Sequence, residues 1–256
     1  MKDIIKKALP EPVLSLYHFV RDGDLPPVGS FLFDRSLRLP LARRLALVRR
    51  MVAVSGSIPC PHTQGEMLEV MRALLSLAPE REGAVVEAGC YRGGSTAKLS
   101  LAAKRAGRKL VVFDSFQGLP EHEEPPTENI FGETVRFPPG EYRASLEEVK
   151  ANVARFGAPD VCDYRAGWFE ETMPAASGPI ALMFLDVDLA CSTRTALKHL
   201  YPRLVPGGVL FSHDGHLPRV ISVFRDAEFW EKEVGCPPPR IAGLGRRKLI
   251  RADKAP

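Results

Sequence analysis

Ala84-Val85-Val86-Glu87-Ala88-Gly89-Cys90-Tyr91-Arg92-Gly93-Gly94-Ser95-Thr96 is followed, one helix later, by Lys109-Leu110-Val111-Val112-Phe113-Asp114. Each segment carries a short β-branched run toward an acidic residue. The first then passes at once into a Gly-rich stretch that opens a helix. Glu87 and Asp114 are thus about one strand-helix-strand unit apart. This places a glycine turn, a helix N-terminus and carboxylates at one end of a parallel sheet, where a nucleoside is held.

The glycine spacing bears on which nucleoside. A dinucleotide fingerprint needs G-x-G-x-x-G so that a pyrophosphate can lie on bare backbone. Here the glycines are Gly89, Gly93 and Gly94, with Glu87 two residues ahead. A carboxylate there repels a pyrophosphate and suits a ligand with a cationic end, such as S-adenosylmethionine. Asp114 is then expected to accept from the ribose hydroxyls. A dinucleotide and a plain structural turn are the alternatives.

At 256 residues the chain fits one α/β domain plus an appendage. A hydrophobic content of 45% is enough for a sizeable core. The net charge of +4 is mild, and no stripe interleaves Lys or Arg with aromatics, which argues against nucleic acid. Cys60, Cys90, Cys162, Cys191 and Cys236 are odd in number and lack a C-x-x-C pair, as expected of reduced thiols in a cytoplasmic protein. No apolar run reaches membrane-spanning length, and Met1-Lys2-Asp3 does not open a signal peptide.

Residues 1–60 differ from the rest and are expected to form a helical lid or oligomerisation segment, with the main domain over 61–256. Residues 35–50 hold six arginines and no acids. A basic amphipathic helix is expected over 41–54. It would lay its apolar face on the domain or on a second subunit of a homodimer or higher homo-oligomer, with its arginines solvated. A membrane-surface helix is the alternative. Beyond it, helices are expected over 64–77, 94–106, 143–156, 169–175, 193–204 and 217–231. Strands are expected over 85–87, 110–114, 161–166, 180–186 and 208–213, with a final strand pair in 240–251. This alternation predicts an α/β fold: a Rossmann-like, doubly wound, mostly parallel sheet with an antiparallel edge. Residues 115–142 are Pro-rich and aperiodic. They leave the carboxyl end of the second strand and read as a substrate-side cover, or as an ordered surface excursion.

Two later strand ends are also polar: Phe184-Leu185-Asp186-Val187-Asp188 and Phe211-Ser212-His213-Asp214-Gly215-His216. If the strands are neighbours, Asp186 and Asp214 face each other, and a divalent cation relieves their repulsion. Oxygen-rich sites suit Mg2+ or Ca2+, and an added imidazole also suits Mn2+ or Fe2+. Asp186, His213 and Asp214 are the expected metal ligands. Alternatively, Asp188 or Ser192 merely caps the next helix. His216 reads as a loop histidine or a catalytic one. His62 and His122 are weaker candidates, and His18 and His199 read as structural.

These blocks together resemble the macrocin O-methyltransferase family over roughly residues 55–250. The resemblance rests on Val86 to Ser95 and on Phe113-Asp114-Ser115-Phe116-Gln117-Gly118-Leu119-Pro120. It rests equally on Ala166-Gly167-Trp168-Phe169-Glu170-Glu171-Thr172-Met173-Pro174, on Leu185-Asp186-Val187-Asp188-Leu189 with Ser192-Thr193, and on Tyr201-Pro202-Arg203-Leu204-Val205-Pro206-Gly207-Gly208. It implies a class I enzyme that moves a methyl group from S-adenosylmethionine to a hydroxyl of a sugar or other small natural-product acceptor, assisted by Mg2+. Glu87, Gly89, Tyr91, Ser95, Asp114, Ser115, Gly167, Trp168 and Asp186 are then expected at the cofactor. Asp186 is expected at the metal and Asp188 as the base.

The chain departs from the family where two adjacent aspartates are usual, having His213-Asp214. It also reads Asp186-Val187-Asp188-Leu189-Ala190-Cys191-Ser192-Thr193 for the family's D-G-D-L-Y-E-S-T. A metal-free site with His213 as base is one alternative. A cofactor-binding scaffold without methyl transfer and a nucleotide-sugar or NAD-binding oxidoreductase are the others.

Overall fold

The computed structural model describes residues 24–255; His18 and the first part of the expected N-terminal segment lie outside them. In chain order the elements are α1 (Leu25–Phe33), α2 (Leu41–Ser57), α3 (Gln64–Ser76), β1 (Ala84–Ala88), α4 (Gly94–Arg105), β2 (Leu110–Asp114), β3 (Thr127–Glu128) and β4 (Thr134–Val135). Then come α5 (Leu146–Phe156), β5 (Cys162–Ala166), α6 (Phe169–Thr172), β6 (Ile180–Leu185), α7 (Ala190–Leu200), β7 (Leu204–Ser212), α8 (Pro218–Arg225), α9 (Ala227–Phe229), β8 (Ile241–Ala242) and β9 (Ile250–Asp253).

The main sheet has seven strands in the order β5-β2-β1-β6-β7-β9-β8. β5, β2, β1, β6 and β7 run parallel, whereas β9 is antiparallel to both β7 and β8. The expected doubly wound sheet with an antiparallel edge is therefore present. Successive residues along a strand face opposite sides. Val85, Leu182 and Phe211 join the core under α1–α5, and Val86, Met183 and Leu210 join the core under α7–α9. All five cysteines are free. No helix among the described residues is long and apolar enough to cross a membrane.

Several boundaries differ from expectation for local reasons. α5 starts at Leu146 rather than residue 143, because Ser145 caps it by accepting from Glu148 N at 3.1 Å. The stretch 217–231 breaks at Asp226, whose side chain accepts from Phe229 N and starts α9. Residues 115–142 contain the β3–β4 hairpin, and Ile130 N donates to His216 O at 3.1 Å, so this excursion is tied to the β7 end.

α2 lays Leu47, Met51 and Val54 on the domain, in one core with Leu74 and Phe184. Its arginines are not all solvated. Arg44 is buried and donates to the carbonyls of Leu32, Asp34, Leu37 and Leu39. This guanidinium replaces the backbone partners that the α1–α2 connection lacks. Arg44→Ala leaves four acceptors without it and is expected to cost roughly 3–5 kcal/mol. A thermal melt should fall by about 10 °C; a melt within about 2 °C of wild type would show that water replaces the clasp.

Candidate active site

The turn after β1 is built by sterics. Gly89 has φ +80°, and a Cβ there would lie 2.0 Å from Asp186 O. Only glycine lets the β1 end pass so close to the β6 end. Asp186 N donates to Ala88 O, and Gly89 N donates to Phe113 O, both at 3.0 Å. Three strand ends are thereby locked together, and α4 starts from Gly93 at φ +79°. Asp114 ties the turn to its own strand end. Its Oδ2 accepts from Cys90 N and its Oδ1 from Phe116 N, each at 2.7 Å. Each oxygen keeps a second lone pair for a ligand.

A cavity of about 440 Å³ opens over these strand ends. Of the expected cofactor residues, Gly89, Tyr91, Asp114, Ser115, Trp168 and Asp186 line it, and Glu87, Ser95 and Gly167 do not. Glu87 is wholly buried on the α4 side of central strand β1, beside Ser95 and Thr96. Burial pushes its acid up to about 8, and both oxygens lack a hydrogen-bond partner. It lies buried beneath the cavity floor and is not among the lining residues, whereas the sequence places its carboxylate facing the ligand. The 115–142 excursion supplies one wall, through Leu119, Asn129, Val135, Phe137 and Tyr142.

Asp186, Asp188, His213, Asp214 and His216 line the same cavity. The expected metal trio divides. Asp186 groups with His62 and His213, and separately with Asp188 and Asp214. Strand alternation explains the split. His213 turns toward α3, with Nε2 3.3 Å from Glu66 Oε2 and Nδ1 3.5 Å from Asp186 Oδ1. Asp214 turns the other way, and its Oδ2 accepts from Val187 N at 3.0 Å and Asp188 N at 3.2 Å. Those bonds hold Asp188 at φ +60°, a conformation a non-glycine residue keeps only where its surroundings impose it.

The electrostatics follow from this packing. Burial, then the Asp214 and Asp186 charges, pushes Asp188 well above the carboxylate range. Burial and Asp186 push Asp214 up to about 7. Burial opposes the charged form of His213, yet Asp186 and Glu66 raise it to about 10. Its Nε2 is buried and has no hydrogen-bond partner, although Glu66 Oε2 lies 3.3 Å away. Burial, Lys248 and His213 lower His216 to about 4, leaving a neutral ring with an unpartnered Nδ1. The chemistry of three crowded carboxylates fits a divalent cation, which would relieve their repulsion.

Neither Asp188 nor Ser192 caps α7, whose N-cap is Leu189 without a side-chain bond. Glu124 does so instead, accepting from Cys191 N at 3.2 Å, an anion at a helix N-terminus. His62, a weaker candidate in the sequence, meets Cys60 at 3.1 Å here, and Glu66 joins the site without a sequence expectation. The available signal was the capping box Thr63-Gln64-Gly65-Glu66, which fixes the chain just ahead of α3.

The sheet order and a cavity at the strand carboxyl ends are those of class I methyltransferases. A family model described as Macrocin-O-methyltransferase (TylF) matches residues 67–233, and the chain belongs to that family. It is 37% identical over 145 residues to an 8-demethyl-8-(2,3-dimethoxy-alpha-L-rhamnosyl)-tetracenomycin-C 4'-O-methyltransferase of Streptomyces olivaceus, covering 54% of this chain and 55% of that protein. It is 34% identical over 148 residues to the mycinamicin III 3''-O-methyltransferase of Micromonospora griseorubida, covering 53% and 56%. The chain thus spans about half the length of the curated relatives it matches. The structure of the O-methyltransferase NovP has the same fold, with a TM-score of 0.66 at 21% identity over 83% of this chain and 99% of that one.

Proposed function

We propose that the chain transfers a methyl group from S-adenosylmethionine to a hydroxyl of a sugar or other small natural-product acceptor, with divalent-cation assistance. The observation that carries this is one cavity lined both by the glycine turn and by an acidic cluster. Gly89 and Asp114 belong to the first, and Asp186, Asp188 and Asp214 to the second. The named activities of the relatives supply the acceptor class.

Gly89 offers bare backbone to the cofactor, and Asp114 offers acceptor lone pairs to its ribose hydroxyls. Tyr91, Trp168 and Phe169 supply aromatic walls. The 115–142 excursion closes the acceptor side and keeps water from the reacting atoms. Asp188 takes the hydroxyl proton as the C–O bond forms and the S–C bond breaks, leaving S-adenosylhomocysteine. Asp186, with His213 and Asp214 beside it, would hold a divalent cation, which would supply acidification and placement of the hydroxyl.

A second reading is metal-free transfer. There the base is His213 or His216, both of which line the cavity and keep a ring nitrogen without a hydrogen-bond partner. Calorimetry with S-adenosylhomocysteine tests the proposal. Binding in the micromolar range is expected, and no binding at high micromolar ligand would sink it. Binding with no turnover over a broad panel of glycosylated acceptors would leave a scaffold.

A further inference from the structure

Two imidazoles from separate parts of the chain converge on one carboxylate. His62 lies just ahead of α3 and His213 just after β7. His62 Nε2 is 3.0 Å from Asp186 Oδ2, and its Nδ1 is 3.1 Å from Cys60 Sγ. His213 sets Nδ1 toward Asp186 Oδ1 and Nε2 toward Glu66 Oε2. Each ring therefore turns one nitrogen to Asp186 and the other to an outer group, and His213 Nε2 has no hydrogen-bond partner there. One donor atom from each of the three lies within 4.8 Å of the others. The two imidazole side chains are 2% and 5% exposed. Despite its close approach, His62 Nε2 is not aligned for a hydrogen bond and has no partner. This is a buried nitrogen aimed into the cluster and left unsatisfied, which is costly unless something else binds it.

We propose that His62, Asp186 and His213 hold a first-row transition-metal dication in preference to Mg2+. Two imidazoles and one carboxylate with cavity-facing room form a donor set for Mn2+, Fe2+, Co2+ or Zn2+. Mg2+ favours oxygen ligands and keeps its waters. The surroundings also match. Metal-bound histidines are steadied through their second nitrogen. Glu66 faces that nitrogen of His213 at 3.3 Å and is itself fixed by accepting from Thr63 N at 2.9 Å. Cys60 faces the second nitrogen of His62, with Lys98 Nζ 3.6 Å from its sulfur. Asp214 is less available, because two backbone amides occupy one of its oxygens. The use of this metal in catalysis rests on the methyltransferase reading; its binding does not.

The test is made on the whole chain after chelation and desalting. Co2+ and Mg2+ are titrated separately by calorimetry, and Co2+ is also followed by its visible ligand-field absorption. One equivalent of Co2+ is expected, with nitrogen-shifted bands and at least about tenfold tighter binding than Mg2+. His62→Ala is expected to weaken Co2+ at least about tenfold and to change the bands. His62→Gln is the second variant, keeping bulk and polarity, and thermal melts identify which variants fold. Mg2+ binding as tight as Co2+ would overturn the proposal. So would wild-type Co2+ affinity and spectrum in the folded His62 variants. S-adenosylhomocysteine is titrated into the same samples. Its failure to bind beside an intact Co2+ site counts against the methyltransferase reading alone.

Discussion

Asp186→Asn is expected to lower methyl transfer about a thousandfold, and EDTA is expected to reduce wild-type turnover to a similar level. Asp186 is the one residue shared by both donor groups at the strand ends. It also faces both buried imidazoles, at 3.0 and 3.5 Å. The amide keeps the shape but lacks the charge and one acceptor oxygen. A bound cation loses its central carboxylate, and the acceptor hydroxyl loses the group that acidifies it. Removing one partner of a buried charge cluster also leaves the others uncompensated. The variant should therefore melt lower as well as work more slowly. Initial rates with a responsive acceptor, with and without EDTA, provide the measurement. Turnover within tenfold of wild type in both arms would move the proton transfer to His213 or His216 and remove the cation from the mechanism.

The strand ends were legible because acids after β-branched runs have few other uses. Asp114, Asp186 and Asp214 all reach the cavity, and parallel strand order follows from the alternation of elements. What stayed hidden depends on which way a side chain turns. Glu87 and Asp114 look equivalent in sequence, each closing a strand run. Yet Glu87 sits one residue before its strand ends and points under α4, whereas Asp114 ends its strand and meets the glycine turn. His213 and Asp214 look like one ligand pair, but alternation sends them to opposite sides.

His62 was illegible for another reason. Asp186 and His213 lie just after β6 and β7, more than a hundred residues on, and no local spacing brings them together with it. The same is true of Glu124, whose partner is the Cys191 amide at the start of α7, whereas Arg44 on α2 clasps carbonyls only 5–12 residues before it. His62 and Glu124 are polar groups whose partners are set by tertiary packing.

The tightest constraint on the site is steric, and Gly89→Ala is expected to cost more than about 4 kcal/mol. Binding of S-adenosylhomocysteine should weaken at least about a hundredfold, since about 3 kcal/mol of distortion at the site is worth two decades. Two effects add at this residue. A left-handed φ costs any alanine about 1 kcal/mol, and Gly107, at φ +66° with nothing within 4 Å, isolates that part. Gly107→Ala should therefore lower the melt only slightly. At Gly89 the new Cβ meets Asp186 O at 2.0 Å and Asp186 C at 2.9 Å, and both atoms are backbone. No rotamer change relieves that contact. The β1 and β6 ends must separate, which breaks the Asp186 N to Ala88 O bond and shifts Asp186 within the cavity. The same movement strains the Cys90 N to Asp114 Oδ2 bond, so the glycine turn and the acidic cluster are disturbed at once. Melts and calorimetry on the two alanine variants make the comparison. Should Gly89→Ala match Gly107→Ala in melt and keep wild-type S-adenosylhomocysteine affinity, close approach of the strand ends is not what builds this site.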